Sequence, residues 1–477
     1  MDESRNTNQH SARPPRKRKS KFQIFKETYL PFVIVALALI FIVVCIIGAI
    51  TRGVQKKRAA EQAELEASIA QQQEQAAIAA EEEMLLQQAD VLAAGYDYDG
   101  ALSVLNSFSG DMGMYPRISS RVTEYAQAKS QLVAWEDPSQ VLTLSFQMLI
   151  ADLQMGLNHA THAQSINRNF ITTGEFSQIL QELYDNGYVL VRPDDYITTQ
   201  TAPDGSVVYA AKPLYLPAGK KPLVLIETNA NYNIYLIDSD GDKLADKNGG
   251  GFANKLILDA AGKITCEMVN SSGQTVTGDY DLVPILDAFV ESHPSFSYRG
   301  AKAVLALTGY NGLFGHRTNP EAIEQFGQAA YDEAVRSAQE VADTLRNTGY
   351  VLACYTYENI AYGDASVSDI ERDLHRWNKE VMPILGQIDI LVYAQGTDIA
   401  GGKTYSGDKY EALKKNGFTH FIGFCDGNKG MFYADTGYVR QGRILVTGAN
   451  LAHNSDWFMG MFYASNILDP ARGNVPK

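Results

Sequence analysis

The first strong feature of the hydropathy pattern is an uncharged apolar run near the start of the chain. It extends from Leu30 to Ile50 and reads LPFVIVALALIFIVVCIIGAI. A helix of about twenty such residues crosses a hydrocarbon layer of roughly 30 Å, whereas the apolar region of a cleaved signal peptide has about 7–15 residues. We therefore predict an uncleaved transmembrane helix over residues 30–52. Cys45 lies inside this run after the bulky Val44, which argues against a lipid-modified cysteine.

Basic residues on the two sides of the apolar run predict its orientation. The preceding segment reads RPPRKRKSKFQIFK and the following one reads TRGVQKKR, so the leading side is the more basic. Lys and Arg close to a span favour the cytoplasmic side. We expect a basic cytoplasmic tail over residues 1–29 and a single pass through the cell membrane, with the rest of the chain extracellular.

Strong helix formers follow the span. The segment from Val54 to Gln88 is rich in Ala, Glu and Gln and lacks Gly and Pro, which predicts one long helix. It has no sustained heptads of Leu or Ile, so we favour a solvated stalk over a dimerising coiled coil. The next segment, ADVLAAGYDYDGALSVLNSF, is similar to a single tetratricopeptide unit. Because such units need about three copies for stability, we interpret residues 53–134 as a helical stalk followed by a helical hairpin connector.

Past Asp137 the pattern changes to short apolar runs that alternate with amphipathic segments. Seven runs of this kind begin at Val141, Lys221, Lys302, Tyr350, Ile388, His420 and Gly442. Buried strands alternating with helices are typical of an α/β fold with a parallel sheet. Seven such units favour a closed or nearly closed barrel, so we predict an irregular (β/α)7 barrel over residues 135–477. Two polar segments, starting at Thr198 and Ser239, are predicted to be insertions in this domain.

Charge narrows the set of partners. Residues 1–60 contain 12 Lys and Arg against 3 Asp and Glu, which leaves 29 against 52 and a net charge of −23 in the remainder. Such an acidic surface argues against nucleic acid and anionic polymers. Neutral glycans and cationic partners stay open. Three cysteines lie beyond the span, Cys266, Cys354 and Cys425, and this odd number defines no disulfide framework. One bridge and three buried thiols are both compatible with the sequence.

Several segments carry a resemblance to a known family. The order of the runs, the helix GDYDLVPILDAFVESHPSFSYRGAK, the segment ALTGYNGLFGHRT and the ending ILDPARGNVPK resemble the NodB-type polysaccharide deacetylases of anaerobic Firmicutes. The resemblance covers residues 141–477. It implies an irregular (β/α) barrel of the deacetylase type that removes acetyl groups from N-acetylated sugars with a divalent metal such as zinc. Members of the family place two aspartates after the second strand and an H-x-x-x-H pair after a later strand.

The positions that this resemblance assigns to the catalytic site carry other residues here. The two aspartates fall on Thr228 and Asn229, and the two histidines fall on Tyr355 and Asn359. A neutral amide is a poor zinc ligand, and a phenol has an ordinary pKa of about 10. The resemblance therefore implies a member with degenerate catalytic and metal-binding motifs. We expect no metal cofactor, and the chain leans away from being an enzyme.

Two further positions of the resemblance have changed as well. The histidine expected in the first strand is Gln147, and the Tyr-Pro-Phe-Gly turn after the fifth strand is Tyr-Ala-Gln-Gly over residues 393–396. Glu227 and Glu358 flank the lost positions and are candidates for a relocated site. However, neighbours on a strand face opposite ways, so Glu227 points away from the pocket if Thr228 points into it.

Other residues with chemical potential give weaker signals. The run from His453 to Asp456 contains triad residue types, but a triad is assembled in space and not by adjacent residues. His159 and His162 need distant partners to bind a metal, and a solvated loop is the simpler interpretation. The alternating Asp238, Asp240 and Asp242 resemble the start of a calcium loop, but Lys243 and Gly249 stand at the positions of its Gly and Glu.

Aromatic and amide side chains fill the positions around the former cleft. The glycan-binding candidates are Asn231, Tyr232, Tyr357 and Tyr393. Tyrosine rings and amides suit sugars, although ordinary packing explains the same residues equally well. Three hypotheses stay open: a non-catalytic deacetylase-like protein that binds cell-envelope glycan or a protein partner, an active metal-dependent deacetylase with relocated residues, and a structural subunit of a membrane assembly.

Overall fold

The computed structural model describes residues 20–400, 404–424 and 430–477. The chain forms two compact units, of which the first ends at Glu83 and the second is Met84–Lys477. The second unit therefore begins upstream of residue 135, where the sequence places the start of the barrel domain. Residues 1–19 of the predicted cytoplasmic tail and Cys425 lie outside the described residues.

The apolar run belongs to a single 65-residue helix, α1, at Leu30–Ala94. A four-residue helix, Lys21–Ile24, and a π-helical turn, Phe25–Tyr29, precede it. In the described part of the chain, α1 is the one helix long and apolar enough to cross a membrane, and its apolar stretch is not buried by protein. Large side chains on it are exposed, such as Phe32 and Phe41. A helix that exposes so many apolar side chains needs an apolar environment.

The end of α1 packs on two short helices. These are α2 at Tyr98–Asn106 and α3 at Pro116–Ser130. The side chain of Asp97 caps α2 by accepting the N–H of Gly100 at 3.2 Å. Apolar side chains of α1 that become buried in this part of the chain are Leu85, Leu86, Ala89 and Ala93. The helical hairpin therefore has a small core of its own and belongs to the second unit.

Seven parallel strands form a closed barrel. They are β1 at Leu142–Phe146, β2 at Lys221–Thr228, β3 at Val304–Leu307, β4 at Val351–Cys354, β5 at Ile390–Val392, β6 at His420–Phe424 and β7 at Tyr438–Leu445. Each strand pairs with the next one in sequence, and β7 pairs with β1. Each of the seven strands overlaps a predicted apolar run, although β7 begins at Tyr438, ahead of its predicted run at Gly442. The prediction of a seven-stranded α/β barrel is thus confirmed.

Alternate side chains of the strands enter two separate cores. Val224 and Ile226 of β2 belong to the cluster inside the barrel, together with Ala353 of β4. Leu223 and Leu225 belong to the larger cluster between the barrel and its helices. The period of two residues in a strand produces this separation.

Six of the described helices that lie between the barrel strands are labelled in chain order. They are α4 at Thr173–Asp185, α5 at Leu282–Ser292, α6 at Glu321–Phe326, α7 at Gln328–Asn347, α8 at Val367–Arg376 and α9 at Asp408–Lys415. The predicted capping box starts α4, because Thr172 and Glu175 exchange hydrogen bonds at 3.0 and 2.7 Å. Further helices of four to seven residues occur at Leu153–Leu157, Ala163–Asn169, Pro193–Tyr196, Ile234–Ile237, Met382–Leu385, Gly448–His453 and Ala464–Ile467.

The two polar insertions are small antiparallel sheets. The first is the hairpin of Ile197–Thr201 with Val207–Ala211. The second has three strands, Lys255–Leu258, Ile264–Val269 and Thr275–Gly278. Two further strands pair with the barrel, Tyr188–Leu190 with β2 and Phe432–Asp435 with β7. Val133–Trp135 and Leu214–Leu216 form a separate two-stranded sheet.

Candidate functional site

The loops after β2, β4 and β5 hold non-glycine residues in the left-handed region. Asn229 has φ 60°, Thr356 64°, Asn359 57° and Gln395 54°. Non-glycine residues adopt such angles rarely, and a β-branched threonine does so at a cost. These loops meet at the carboxyl ends of the strands, where barrel proteins place their sites. The surrounding contacts must therefore hold each loop in place.

Thr228 and Asn229 supply two of those contacts. The Thr228 side chain is buried inside the barrel, and its hydroxyl donates to the carbonyl of Phe146 at 2.9 Å. Asn229 Oδ1 accepts the hydroxyl of Thr308 at 3.3 Å. Both side chains are neutral and join neighbouring strand ends. Neither can act as the carboxylate base or ligand that the family resemblance requires at these positions.

Tyr355 and Asn359 hold the loop after β5. The phenol oxygen of Tyr355 accepts the backbone N–H of Gln395 at 3.3 Å, and the side chain of Gln395 donates to the Asn359 carbonyl at 3.3 Å. The Tyr-Ala-Gln-Gly turn is therefore tied to the two positions at which the sequence resemblance predicts histidines. Residues at three separated sequence positions thus form one connected structural unit.

A divalent metal does not fit this set of donors. The four positions offer a hydroxyl, two amides and a phenol, whereas zinc prefers thiolate, imidazole and carboxylate. Among the described residues, one group of three His, Cys, Asp or Glu has its ligand atoms within 4.8 Å of one another, and it consists of Asp238, Asp240 and Asp246. That group lies in the second insertion and not at the carboxyl ends of the barrel strands.

Arg443 is a buried cation that sequence reasoning missed. It projects into the barrel from β7 and is fully buried. Its guanidinium donates to Ser145 Oγ at 2.7 Å and to the Tyr393 carbonyl at 3.1 Å, and it lies 4.2 Å from the ring centre of Phe424. It is also 6.0 Å from the ring of Tyr355. The sequence indicates this buried cation by an arginine within a strand of buried residues.

The four glycan-binding candidates are all inside the protein. Asn231, Tyr232, Tyr357 and Tyr393 have 0% exposure. Asn231 bonds to Thr308 on both sides of its amide, at 2.5 and 2.7 Å. In this structure these residues hold loops in place and offer no face to a ligand.

Two of the tyrosines among them, Tyr357 and Tyr393, have hydrogen-bond partners inside the protein. Tyr357 donates to Glu380 and lies under the guanidinium of Arg376, 4.2 Å from its ring centre. The Tyr393 hydroxyl is 2.9 Å from that of Tyr405. Partners of this kind replace water for a buried phenol.

The two carboxylates proposed for a relocated site do not converge. Glu227 lies outside the barrel, fully buried against Asp281, while the Thr228 side chain points inward. Burial, followed by the charge of Asp281, raises the pKa of Glu227 well above its usual range, and burial raises the pKa of Asp281 to about 6. Glu358 instead pairs with Arg376. A shared catalytic role for Glu227 and Glu358 is therefore incompatible with this geometry.

The weaker sequence signals have structural explanations. His159 Nδ1 accepts the backbone N–H groups of Thr161 and His162. His453 Nε2 lies 2.9 Å from the carbonyl of Val475. Asp238 accepts the N–H groups of Gly241 and Lys243 at 2.7 and 2.9 Å, as expected for an acidic turn.

The two described cysteines beyond the span are free thiols. Cys266 and Cys354 are both fully buried, and no disulfide joins them. Burial raises the pKa of both thiols well above the usual range. They are protonated at physiological pH and therefore inert.

A cavity of about 230 Å³ opens at the carboxyl ends of β2 and β3. Its wall includes Ile234, Lys243, Tyr310, Asn311, Arg317 and Phe326. A second cavity of about 450 Å³ shares Arg317 and Phe326 with it. Both adjoin helix α6, and neither was predicted from the sequence. The quoted segment ALTGYNGLFGHRT supplies Tyr310, Asn311 and Arg317, so it gives the cavity much of its wall.

Comparisons with known proteins find little similarity to this chain. No family model matches the chain, and no curated protein matches it. In a search of solved structures, the Streptococcus pyogenes deacetylase PplD in complex with acetate aligns with 68% of this chain and 100% of its own, at 12% identity and a TM-score of 0.33. The argument for the fold therefore rests on the observed strand order, and this chain is a closed seven-stranded parallel α/β barrel preceded by a long apolar helix.

Proposed function

We propose that this chain is a membrane-anchored, extracytoplasmic protein with a deacetylase-like barrel that binds cell-envelope glycan without hydrolysing it. One observation carries the proposal. The four side chains at the metal and base positions, Thr228, Asn229, Tyr355 and Asn359, are neutral, and those of Thr228, Asn229 and Tyr355 hold the strand-end loops by hydrogen bonds.

Hydrolysis of an acetamide sets demands that these residues do not meet. The amide carbonyl must be polarised and water activated, for which the family resemblance implies a Lewis-acidic metal with a carboxylate base. Here the corresponding positions offer a hydroxyl, two amides and a phenol, which are not the ligand types that zinc prefers. Glu227 is the nearest carboxylate along β2, and its side chain lies outside the barrel. Binding without turnover is the role that these groups support.

The cavity after β2 and β3 has the side chains that a sugar needs. Tyr310 supplies an aromatic ring, and Asn311 and Asn319 supply amides within the same wall. A ring face packs against the C–H face of a sugar, while amides donate and accept hydrogen bonds with its hydroxyls. We place the glycan there, and not on the buried tyrosines.

The full chain, purified in detergent without chelators and dialysed with zinc or manganese, is expected to retain less than about one tenth of a metal ion per chain, because the donor set is neutral. Elemental analysis by mass spectrometry measures this directly. Retention of about one ion per chain, together with release of acetate from N-acetylated glycan, would refute the non-catalytic proposal.

Tyr310→Ala is expected to weaken binding to purified cell-wall polysaccharide by about threefold to tenfold, because it removes the aromatic contact of the cavity. Co-sedimentation of the full chain with the insoluble polysaccharide measures the affinity. Tyr463→Ala is the matched control, since Tyr463 is 73% exposed and does not line this cavity. Equal binding by both variants and the unaltered chain would place the glycan elsewhere, and no binding by any of them would reject the glycan proposal.

A further inference from the structure

The guanidinium of Arg317 has more N–H donors than it uses in hydrogen bonds to the described protein atoms. It donates to the carbonyls of Asn311 at 2.8 Å and Tyr232 at 3.0 Å. A guanidinium has five N–H donors. In the part of the chain that the structure describes, no carboxylate forms an ion pair with Arg317 and its other three N–H groups donate to no protein atom. The two carbonyls fix the orientation of the guanidinium and leave its charge uncompensated.

The same side chain lies between the two cavities that adjoin α6. It is partly exposed to them although protein surrounds most of its guanidinium. Burial lowers the pKa of Arg317 to about 10, opposed by the nearby Tyr310, so it stays protonated at physiological pH. An enclosed cation without a counter-ion is costly, and an anionic ligand relieves that cost.

The other charged residues of the smaller cavity also favour an anionic ligand. Lys243 contributes a second cation from the acidic turn, where its backbone adopts φ 65°. Glu321 is the one acidic residue of the wall, and it already accepts Asn319 at 3.0 Å and pairs with Arg376 at 3.2 Å. The cavity therefore has two cations available to a ligand and a carboxylate whose charge is largely compensated.

We propose that this cavity binds the carboxylate of an acidic sugar, with Arg317 and Lys243 as its charged contacts. The unengaged N–H groups of Arg317 pair with the carboxylate oxygens, since a guanidinium fork matches that geometry. Tyr310 and Phe326 contact the apolar side of the sugar ring. Inorganic phosphate fits less well, because it has no apolar ring face for Tyr310 and Phe326 to contact. The inference rests on the glycan-binding role proposed above and specifies the charge of the glycan.

The acidic character of the protein does not oppose this ligand. The net charge beyond residue 60 is −23, which disfavours polymers that are anionic throughout. Charges beyond about 8 Å are screened at physiological salt, so a single carboxylate on an otherwise neutral chain is governed by the cations next to it. The ligand class is thus a sparsely acidic glycan.

The test is the thermal unfolding of the full chain in detergent, followed by tryptophan fluorescence. Sodium glucuronate is titrated against glucose and against sodium chloride at matched ionic strength. We expect glucuronate alone to raise the unfolding temperature saturably. Lys243→Gln should raise the half-saturating concentration about twofold to fivefold, and Arg317→Gln about tenfold or more.

Lys247→Gln is the matched control, because Lys247 is an exposed lysine of the same loop that does not line the cavity. Lys243→Gln leaves the fold intact even if the loss of Arg317 does not, since Lys243 is exposed. No saturable effect of glucuronate, an equal effect in Lys243→Gln and Lys247→Gln, or stronger stabilisation by inorganic phosphate would each overturn the inference. If the chain still co-sediments with neutral cell-wall polysaccharide in these cases, the glycan-binding proposal stands and only the inference about the acidic sugar fails.

Discussion

Replacing Arg472 by methionine is expected to lower the free energy of unfolding by about 3–5 kcal/mol, because the substitution leaves a buried carboxylate without its counter-ion. Arg472 and Glu175 are 3% and 1% exposed, and the guanidinium contacts both carboxylate oxygens at 2.6 Å. The guanidinium also donates to Asn167 and to the carbonyl of Phe170. One side chain near the end of the chain thus joins α4 to the segment before it.

The carboxylate of Glu175 also accepts two backbone hydrogen bonds. Glu175 Oε2 accepts the N–H of Thr172 in the capping box of α4, and Oε1 accepts the N–H of Asp469 at 2.9 Å. The loss of Arg472 therefore weakens a helix start as well as an ion pair. Chemical denaturation of the full chain in detergent, followed by tryptophan fluorescence, reports on this unit. All three tryptophans, Trp135, Trp377 and Trp457, lie within Met84–Lys477.

Arg336→Met is the matched control. Arg336 pairs with Glu333 at 3.0 Å, but both side chains are more than 60% exposed, so the change in unfolding free energy should stay within about 0.5 kcal/mol. A loss below about 1 kcal/mol for Arg472→Met would contradict the structural role of the buried pair. Arg472→Met combined with Glu175→Gln should recover part of the loss, because the uncompensated charge is then removed.

The barrel was predictable because its strands carry a local signal. Each strand is a short apolar run bounded by helices, and the runs at Val304 and Val351 lie at the predicted places with parallel pairing between them. Alternation within a strand was also sufficient to predict that Glu227 and Thr228 face opposite ways. Both inferences need only the two-residue period of an extended chain.

The candidate site was less predictable because it depends on contacts between distant segments. Burial of Tyr357 follows from Glu380 and Arg376, and burial of Tyr393 follows from Tyr405. The sequence shows aromatic residues near strand ends but not which partners cover them. Arg317 lines the cavity, and its role is visible only in the structure, where no carboxylate of the described residues forms an ion pair with it.

Glu227→Gln is expected to make the protein more stable at alkaline pH and to flatten the dependence of its stability on pH. Glu227 is fully buried, and among the described residues neither of its carboxyl oxygens meets the criteria for a hydrogen bond. Burial and the neighbouring Asp281 raise the pKa of Glu227 well above its usual value. The folded chain therefore keeps a proton that the unfolded chain loses above about pH 4.3. As the pH rises from there toward the folded-state pKa, the unfolding free energy falls by up to about 1.4 kcal/mol per pH unit.

Glutamine keeps the shape of the protonated glutamic acid and cannot ionise, so the penalty disappears. At about pH 8 we expect Glu227→Gln to exceed the unaltered chain by about 2 kcal/mol or more, and the difference should shrink as the pH is lowered to about 5. Chemical denaturation across this range measures it, with Glu371→Gln as the control, because Glu371 is an exposed glutamate on α8. Parallel pH profiles for Glu227→Gln and the unaltered chain would show that Glu227 is ionised in the folded state. In that case a compensating group would have to lie beside it, and the conclusion that burial keeps Glu227 protonated in the folded chain would be wrong.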